Sequence, residues 1–273
     1  MIKVLKSKLE QFFRLLLVNF VTPKNDSILV VEYPKSGGTW LGQLVSGYFD
    51  IPFPRNKFPT TKKSVFHGHY LPNKRITKNR KIILLVRDGR DVMISLYHHQ
   101  LIWNEKNKLN PKKVDYYRKE SGFDNFEDVK ENMGAFIDFS FTHRPSKLQH
   151  FTYQGNWQEF NAAWLEEMGK NDNIFLITYE ELLEDTSKAM RRLITDFFKE
   201  KEVDADRLKK VVEKFSFERQ TNRQKGDENA SSFLRKGISG DWKNYFGDEE
   251  KRKFKNHTGD MLVALGYEND VNW

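Results

Sequence analysis

The stretch Ser27–Trp40, SILVVEYPKSGGTW, decides the fold. It begins with a short apolar run that Pro34 ends, which is typical of a strand buried on both faces of a sheet. The glycine pair Gly37-Gly38 follows, and the apolar spacing of Leu41–Phe49 then predicts a helix. The stretch therefore predicts a strand, a tight turn and a helix, the unit from which parallel sheets are built.

Similar apolar runs follow along the chain. Lys81–Val86 (KIILLV) and Asn173–Tyr179 (NIFLITY) predict buried strands, and helical patterns over Asp91–Gln100 and Glu180–Glu200 come after them. Ser64–His69 is a weaker strand candidate. Alternating strands and helices predict an α/β fold, namely a single domain with a parallel central sheet flanked by helices and a P-loop-like phosphate-binding turn.

Two segments, residues 1–20 and 102–150, are expected to differ from the core of this domain. Residues 1–20 have the spacing of an amphipathic N-terminal helix, and two interpretations stay open: a helix packed on the domain, or a basic helix lying on a membrane surface. Their longest apolar run is Leu15–Val18, far too short to span a bilayer. Residues 21–273 are expected to form the domain, and the polar, irregular segment 102–150 is expected to be an inserted, partly helical lobe.

Composition narrows the class of protein. The chain has 273 residues, a formal net charge of +8 and no cysteine. The missing thiols exclude disulfides, Cys-zinc sites, iron–sulfur clusters and a cysteine nucleophile. The charge favours anionic ligands without choosing between a nucleotide, a nucleic acid and a lipid headgroup. Nothing requires an oxidising compartment, so we expect a cytoplasmic protein, with membrane association through residues 1–20 left open.

The turn after the first strand is a candidate phosphate site. The first turn of the following helix offers backbone N–H groups, Lys35 adds a charge, and Ser36 and Thr39 add hydroxyl donors. A Walker A loop reads G-x-x-x-x-G-K-[ST], with its lysine after the glycines, whereas here the lysine precedes them. The loop is therefore expected to bind phosphate without being a standard triphosphatase loop. An ordinary glycine-rich turn is the alternative.

A second candidate site follows the next strong strand. Arg87 stands at its carboxyl end, where parallel sheets bind ligands. Ser95 lies eight residues on, so a helix that begins near Asp88 would bring its hydroxyl to the same side, and the two side chains would grip one phosphate. A surface ion pair of Arg87 with Asp88 or Asp91 is the alternative.

The third segment is Phe233–Phe246, FLRKGISGDWKNYF, and with it the chain resembles the sulfotransferase family. The donor of that family is 3′-phosphoadenosine 5′-phosphosulfate (PAPS). Its donor loop reads Y-P-K-S-G-T-T-W, against YPKSGGTW here. Its second motif has Arg and Ser eight apart followed by Y-H, and its late motif reads R-K-G-x-x-G-D-W-K-x-x-F. All three occur in order across residues 27–246.

The resemblance implies a role for each matched position. The residues implied at the 5′-phosphosulfate are Lys35, Ser36, Gly37, Gly38, Thr39 and Trp40. Those implied at the 3′-phosphate are Arg87, Ser95, Arg235, Lys236 and Gly237. Trp40 and Tyr179 match aromatic residues near the adenine, and Ser216 and Phe217 match the Ser-Phe pair of the family.

The resemblance also implies a catalytic histidine. The family often shows Lys-Thr-His before a Pro-containing loop, where this chain has His67-Gly68-His69. His69 then aligns with the catalytic histidine, and His67 takes the lysine position. On a strand both imidazoles lie on one face, so the two roles can be exchanged. Neutral imidazole accepts a proton near physiological pH.

Taken together, the sequence predicts a PAPS-dependent sulfotransferase that acts on a hydroxyl or amine of a small-molecule, lipid or sugar acceptor. Lys35 and the loop are expected to stabilise the departing 3′,5′-diphosphoadenosine, and no metal is demanded. A P-loop-type kinase with Asp88 beside magnesium is the alternative. A nucleic-acid-binding module is the alternative of another class, but the basic residues are scattered and no nucleic acid partner is expected.

The sequence predicts neither a metal site nor an oligomeric state. His98 and His99 adjoin on a helix and face apart, so they predict no metal site. The late Thr-Val dimerisation pattern of the family is not evident after Phe246, so the oligomeric state is undetermined.

Overall fold

Four parallel strands form one sheet in the order β2-β1-β3-β4. The strands are β1 (Ile28–Glu32), β2 (Val65–Gly68), β3 (Ile82–Val86) and β4 (Ile174–Thr178). Every residue of β1 and β3 is buried, which is why these strands have continuous apolar sequences instead of alternating ones. The predicted α/β fold with a parallel sheet is confirmed.

The computed structural model describes residues 13, 16–20, 26–55, 61–108, 111–123, 125–143 and 155–273, without the side chains of 112 and 113. The chain divides into two compact units. The sheet unit comprises residues 1–86 and 161–215, and the helical unit comprises residues 87–160 and 216–273.

The described helices follow in chain order. They are α1 (Gly38–Phe49), α2 (Lys74–Thr77), α3 (Gly89–Tyr97), α4 (Asn104–Lys106), α5 (Pro111–Ser121), α6 (Val129–Thr142), α7 (Trp157–Met168), α8 (Tyr179–Glu184), α9 (Thr186–Arg192), α10 (Ala205–Lys214), α11 (Phe217–Thr221), α12 (Asp248–Thr258) and α13 (Met261–Ala264). Two π-helical segments, His98–Trp103 and Leu193–Phe197, and a 3₁₀ turn, Asp241–Asn244, complete them. Among these described helices none is long and apolar enough to cross a bilayer.

In the sheet unit, α1 covers the sheet with one apolar face. Its buried residues Leu41, Leu44, Val45 and Tyr48 follow the spacing of a helix that faces a core. They join side chains of the strands, α9 and α10 in one cluster of buried residues. Because β1 runs into α1 through a short loop, this packing fixes the position of that loop.

The helical unit begins with α3, whose first turn is capped by Asp88. The Asp88 carboxylate accepts a hydrogen bond of 2.9 Å from the backbone N–H of Arg90. Farther along, α6 packs on α12, with Phe141 stacked on His257 at a centroid distance of 5.0 Å. Helices α4, α5 and α6 lie within the segment 102–150.

One predicted helix differs from the structure. The pattern over Glu180–Glu200 predicts a single helix, but the chain forms α8, α9 and a π-helical segment. The break is at Asp185, which adopts an extended conformation and accepts a hydrogen bond from Lys188 N at 2.9 Å. An aspartate that caps a new helix ends the old one. The predicted helix over residues 1–20 lies mostly outside the described residues. Within that range residues 13 and 16–20 are described, and they are helical.

Candidate functional site

The loop between β1 and α1 has a backbone that few residue types adopt. Lys35 lies in the left-handed region with φ 76°, which is uncommon outside glycine. Gly37 has φ 107°, and a Cβ there would lie 2.8 Å from the ring of Tyr179. Strained backbone of this kind clusters at ligand-binding sites. Tyr179 also meets Trp40 edge to face at a centroid distance of 5.9 Å.

Two buried polar atoms of this loop point to a ligand. Ser36 is only 1% exposed, and its hydroxyl has no partner among the described residues. The indole Nε1 of Trp40 is in the same situation. Buried donors are nearly always satisfied, and Gly37 gives α1 no side-chain cap. An anionic ligand at the start of α1 would supply acceptors, so the loop fits the phosphosulfate end of PAPS.

Glu32, the last residue of β1, lies directly beneath this loop. One carboxylate oxygen, Oε2, accepts a hydrogen bond from the backbone N–H of Gly38. The other, Oε1, lies 2.8 Å from Nε2 of His67. Burial raises the pKa of Glu32, but the hydrogen bond and the electrostatic interaction with His67 prevail, so the pKa is lowered. The group is an ionised carboxylate, and no pattern in the sequence alone singles it out.

Gly38 is required by this arrangement. A Cβ at Gly38 would lie 2.5 Å from Nε2 of His67 and 2.6 Å from Cδ of Glu32. Position 38 is where the family motif has threonine and this chain has glycine. Positions 38 and 67, two of those at which the chain departs from the family pattern, therefore lie against one another.

His69 has a defined tautomer. Its Nδ1 lies 2.9 Å from the backbone oxygen of Glu32, and a carbonyl oxygen only accepts, so Nδ1 carries the proton. Nε2 then presents a lone pair and has no partner among the described residues. Burial and the neighbouring His67 lower the pKa of His69 to about 4, although Glu32 opposes them. His69 is therefore a neutral proton acceptor at physiological pH.

The two imidazoles form one cluster with Glu32. The ring centroids of His67 and His69 are 5.3 Å apart, and the planes are nearly perpendicular. In the parallel register of β1 and β2, Val30 lies opposite His67, which brings the end of β1 beside the end of β2. Sequence reasoning found the histidine pair, but the third member, Glu32, becomes visible only once these strands are paired.

In the helical unit, the predicted cations meet two acidic residues. Arg235 pairs with Glu228 at 2.8 Å and also with Asp241, and Lys236 lies 2.8 Å from Asp241. Burial raises the pKa of Asp241, but its hydrogen bonds to Lys236 and Arg235 prevail and lower it to about 2. The two cations are thereby held in place beside Gly237.

Arg87 reaches the same segment. Its guanidinium donates to the backbone oxygen of Ile238 at 3.2 Å and lies 3.9 Å from Asp91. The side chain of Arg87 is 11% exposed and that of Asp91 is fully buried, so this is not the surface ion pair of the alternative interpretation. Asp91 in turn accepts hydrogen bonds from the backbone N–H groups of Gly240 and Trp242. The structure thus brings Arg87 together with the late motif.

The remaining predicted residues have more ordinary contacts. The ring of Phe217 backs Gly237, and the hydroxyl of Ser216 caps α11 by accepting a hydrogen bond of 3.1 Å from Arg219 N. Ser95 is half buried on α3. Asp88, which the kinase alternative needs beside magnesium, is bonded instead to the side chain and backbone of Arg90.

Comparison of sequences identifies relatives of this chain. The family model described as the sulfotransferase domain matches residues 53–266. Sulfotransferase 1E1 of Rattus norvegicus is 26% identical over 280 residues, which cover 88% of this chain and 84% of that protein. Sulfotransferase 1C2 of Homo sapiens is 26% identical over 271 residues, which cover 85% and 81%.

Solved structures with the same fold include two complexes. Mouse sulfotransferase SULT7A1 complexed with PAP has a TM-score of 0.59 at 21% identity, and the match covers 91% of this chain and 89% of that one. A retinol dehydratase in a complex with retinol and PAP has a TM-score of 0.60 at 18% identity, with 91% and 85% covered. At these identities the likeness concerns the fold.

Proposed function

The chain belongs to the sulfotransferase family and is a PAPS-dependent sulfotransferase, and from this premise we propose how its residues perform the transfer. In the proposal, the loop Lys35–Trp40 binds the 5′-phosphosulfate, and His69 accepts the proton of the acceptor. The observation that carries it is the contact between loop and histidines within the sheet unit: Gly38 donates to Glu32, which is hydrogen-bonded to His67.

The loop would act by orientation and charge. PAPS supplies the sulfuryl group and leaves as 3′,5′-diphosphoadenosine. Lys35 contributes a positive charge, and the hydroxyls of Ser36 and Thr39 with the first turn of α1 contribute donors. The buried hydroxyl of Ser36, which has no partner in the described part of the chain, supports this assignment. Trp40 and Tyr179, in edge-to-face contact, are proposed to bind the adenine.

The 3′-phosphate is assigned to the helical unit. Arg87, Arg235 and Lys236 supply three cations, and Gly237 allows the backbone to approach the phosphate closely. Ser95 is proposed as a further hydroxyl donor, while Ser216 and Phe217 support the segment from behind. The acidic partners Glu228 and Asp241 hold the cations in position before the ligand arrives.

The proton of the acceptor is proposed to go to Nε2 of His69. Its Nδ1–H bond to the backbone oxygen of Glu32 fixes the tautomer and orients the ring. The same bond, together with the Glu32 carboxylate, stabilises the imidazolium that forms. His67 is proposed as a positioning residue that locks Glu32, in place of the lysine of the family motif. The transfer itself is proposed to need no metal.

The acceptor is proposed to be a small molecule with a hydroxyl group or an amine. Solved relatives hold retinol and androsterone, which supports an alcohol on an apolar skeleton. Lipid and sugar hydroxyls remain in the proposed class. We also propose a cytoplasmic protein in which residues 1–20 either pack on the domain or lie on a membrane surface.

The experiment is PAPS-dependent turnover measured over phenols, steroids, lipid alcohols, sugars and amines, with His69→Asn, His67→Asn and His257→Asn compared. We expect His69→Asn to lose kcat by at least about 10²-fold while its affinity for 3′,5′-diphosphoadenosine stays near that of the wild type. His257 belongs to the helical unit and serves as the control. If His69→Asn keeps a near-normal kcat while His67→Asn is inactive, the general base is His67 and not His69.

A further inference from the structure

The cluster of Glu32, His67 and His69 has the composition of a metal site. Each residue offers one ligand atom, and these atoms all lie within 4.8 Å of one another. Glu32 is buried, and the two histidines are half buried. We propose that these three side chains bind Zn²⁺ or a cation of the same class, and that the bound cation blocks sulfuryl transfer by occupying His69. The second half of this proposal rests on the proposed function.

The type of ligands selects the class of cation. Two imidazole nitrogens with one carboxylate oxygen are a set used by catalytic zinc sites, which keep a further position open. Ca²⁺ and Mg²⁺ prefer sites made of oxygen atoms, so the histidines disfavour them. Imidazole suits zinc and the neighbouring transition metals. The cluster is therefore expected to discriminate in favour of Zn²⁺, Co²⁺ and Ni²⁺.

The ligand atoms are already oriented by their neighbours. The backbone N–H of Gly38 holds Oε2 of Glu32 and leaves Oε1 directed at His67. The Nδ1–H of His69 donates to the backbone oxygen of Glu32, which is the outer hydrogen bond that ligating histidines commonly carry. A cation that binds Nε2 of His69 would leave both of these bonds in place. Only the proton between His67 and Glu32 has to leave.

The consequence for the reaction follows from the tautomer. His69 has one lone pair, at Nε2, because Nδ1 carries the proton. That lone pair either accepts the proton of the acceptor or binds the cation. Zn²⁺ is thus expected to inhibit transfer reversibly and to act on kcat.

The chain contains a matched control for a histidine beside a carboxylate. In the helical unit, Nε2 of His257 lies 2.8 Å from Asp138, which also pairs with Lys253. The distance between imidazole and carboxylate is the same as in the His67–Glu32 pair. Among the described residues, however, no second imidazole lies close enough to complete a ligand set there. His257→Asn is therefore expected to leave metal binding unchanged.

The first measurement is independent of activity. Full-length protein is titrated with ZnCl₂ by calorimetry and with CoCl₂ by visible absorption, using wild type, Glu32→Gln, His67→Asn, His69→Asn and His257→Asn. We expect one site in the wild type and in His257→Asn, with cobalt bands of low-symmetry coordination. Each of the three cluster variants should bind at least about tenfold more weakly. Thermal melting identifies any variant that does not fold.

The metal site is disproved if wild type binds no equivalent of Zn²⁺, a result that needs no variant to fold, or if it binds Zn²⁺ no more tightly than a folded His67→Asn/His69→Asn double variant. The second measurement is PAPS-dependent turnover with Zn²⁺ and then with a chelator, where we expect loss and recovery of kcat. Cobalt bands without inhibition would overturn the blocking step and with it His69 as the base. An active enzyme without cobalt bands would overturn the metal site and leave the proposed function intact.

Discussion

The ring of Phe217 lies so close to Gly237 that a Cβ at position 237 would come within 2.5 Å of it. Gly237 also has φ 66°, in the left-handed region. These two constraints fix the backbone directly after Arg235 and Lys236. The cation pair is thus backed by the aromatic side chain of Phe217, on the first turn of α11.

Gly237→Ala should therefore destabilise the protein more than Gly122→Ala. Gly122 has φ 70°, close to that of Gly237, but no atom of the described residues lies within 4 Å of a Cβ there, so Gly122→Ala measures the backbone penalty alone, about 1–2 kcal/mol. Gly237→Ala adds the clash with Phe217 and should also weaken binding of 3′,5′-diphosphoadenosine. Urea unfolding and calorimetry test both expectations. Equal free energies of unfolding in the two variants would contradict the packing argument.

Gly38→Ala should lower both stability and kcat, because the new methyl group meets His67 and Glu32. The effect should be largely non-additive with His67→Ala, which removes the side chain it strikes. The measurement is a double-mutant cycle on the free energy of unfolding and on turnover. If the double variant shows the plain sum of the two single effects, position 38 is not limited by His67.

Arg87→Ala should weaken the binding of 3′,5′-diphosphoadenosine by roughly tenfold to hundredfold, the loss of a charge-assisted hydrogen bond worth about 1.5–3 kcal/mol. Binding of AMP, which lacks the 3′-phosphate, should change far less. The ratio of the two dissociation constants is the readout, since a folding defect would weaken both. Arg219→Ala, an exposed arginine of the helical unit, is the control. A ratio that Arg87→Ala leaves unchanged would remove Arg87 from the 3′-phosphate.

Asp241 should make the helical unit sensitive to acid. Its pKa is lowered from 3.8 to about 2 in the folded protein, mainly through Lys236 and Arg235 against the opposing effect of burial. The contribution of Asp241 to the free energy of unfolding is therefore complete above the pKa that this residue has in the unfolded chain. It is lost as the pH falls through the pKa of the folded protein. The shift corresponds to about 2 kcal/mol. Asp241→Asn should be less stable than wild type near neutral pH, with a difference that shrinks towards about pH 2.

Urea unfolding at several pH values measures this difference. Asp172→Asn is the control, since Asp172 is an exposed aspartate in a turn outside the helices and strands. We expect that control to follow the wild type across the whole range. A constant gap between wild type and Asp241→Asn at every pH would mean that the loss is not electrostatic.

The sequence was most informative where a residue's neighbours lie close to it in the chain. Buried parallel strands have apolar sequences of their own, so β1, β3 and β4 are predicted to within a residue at each end. The break at Asp185 is also local, and its Asp-Thr-Ser sequence is a readable capping signal that the apolar spacing of Glu180–Glu200 obscured.

Glu32 is the opposite case. It follows four apolar residues and precedes a turn, a position that indicates only the end of a strand. Its contacts are with His67 and Gly38, and the first of these depends on which strand pairs with β1. Strand order has no signal in one sequence, so the third member of the cluster was not predictable while the histidine pair was.

The hydrogen bonds from Gly240 and Trp242 to Asp91 have a consequence for the order of events during synthesis. They join residues 149 and 151 positions apart. Contacts of such long range form only after a large loss of chain entropy, so they come late in folding. A ribosome-bound chain can complete the turn at Lys35–Trp40 early, but the segment that holds Arg235 and Lys236 has its anchor only after Trp242 has emerged. Donor affinity would therefore be acquired only after Trp242 has been synthesised.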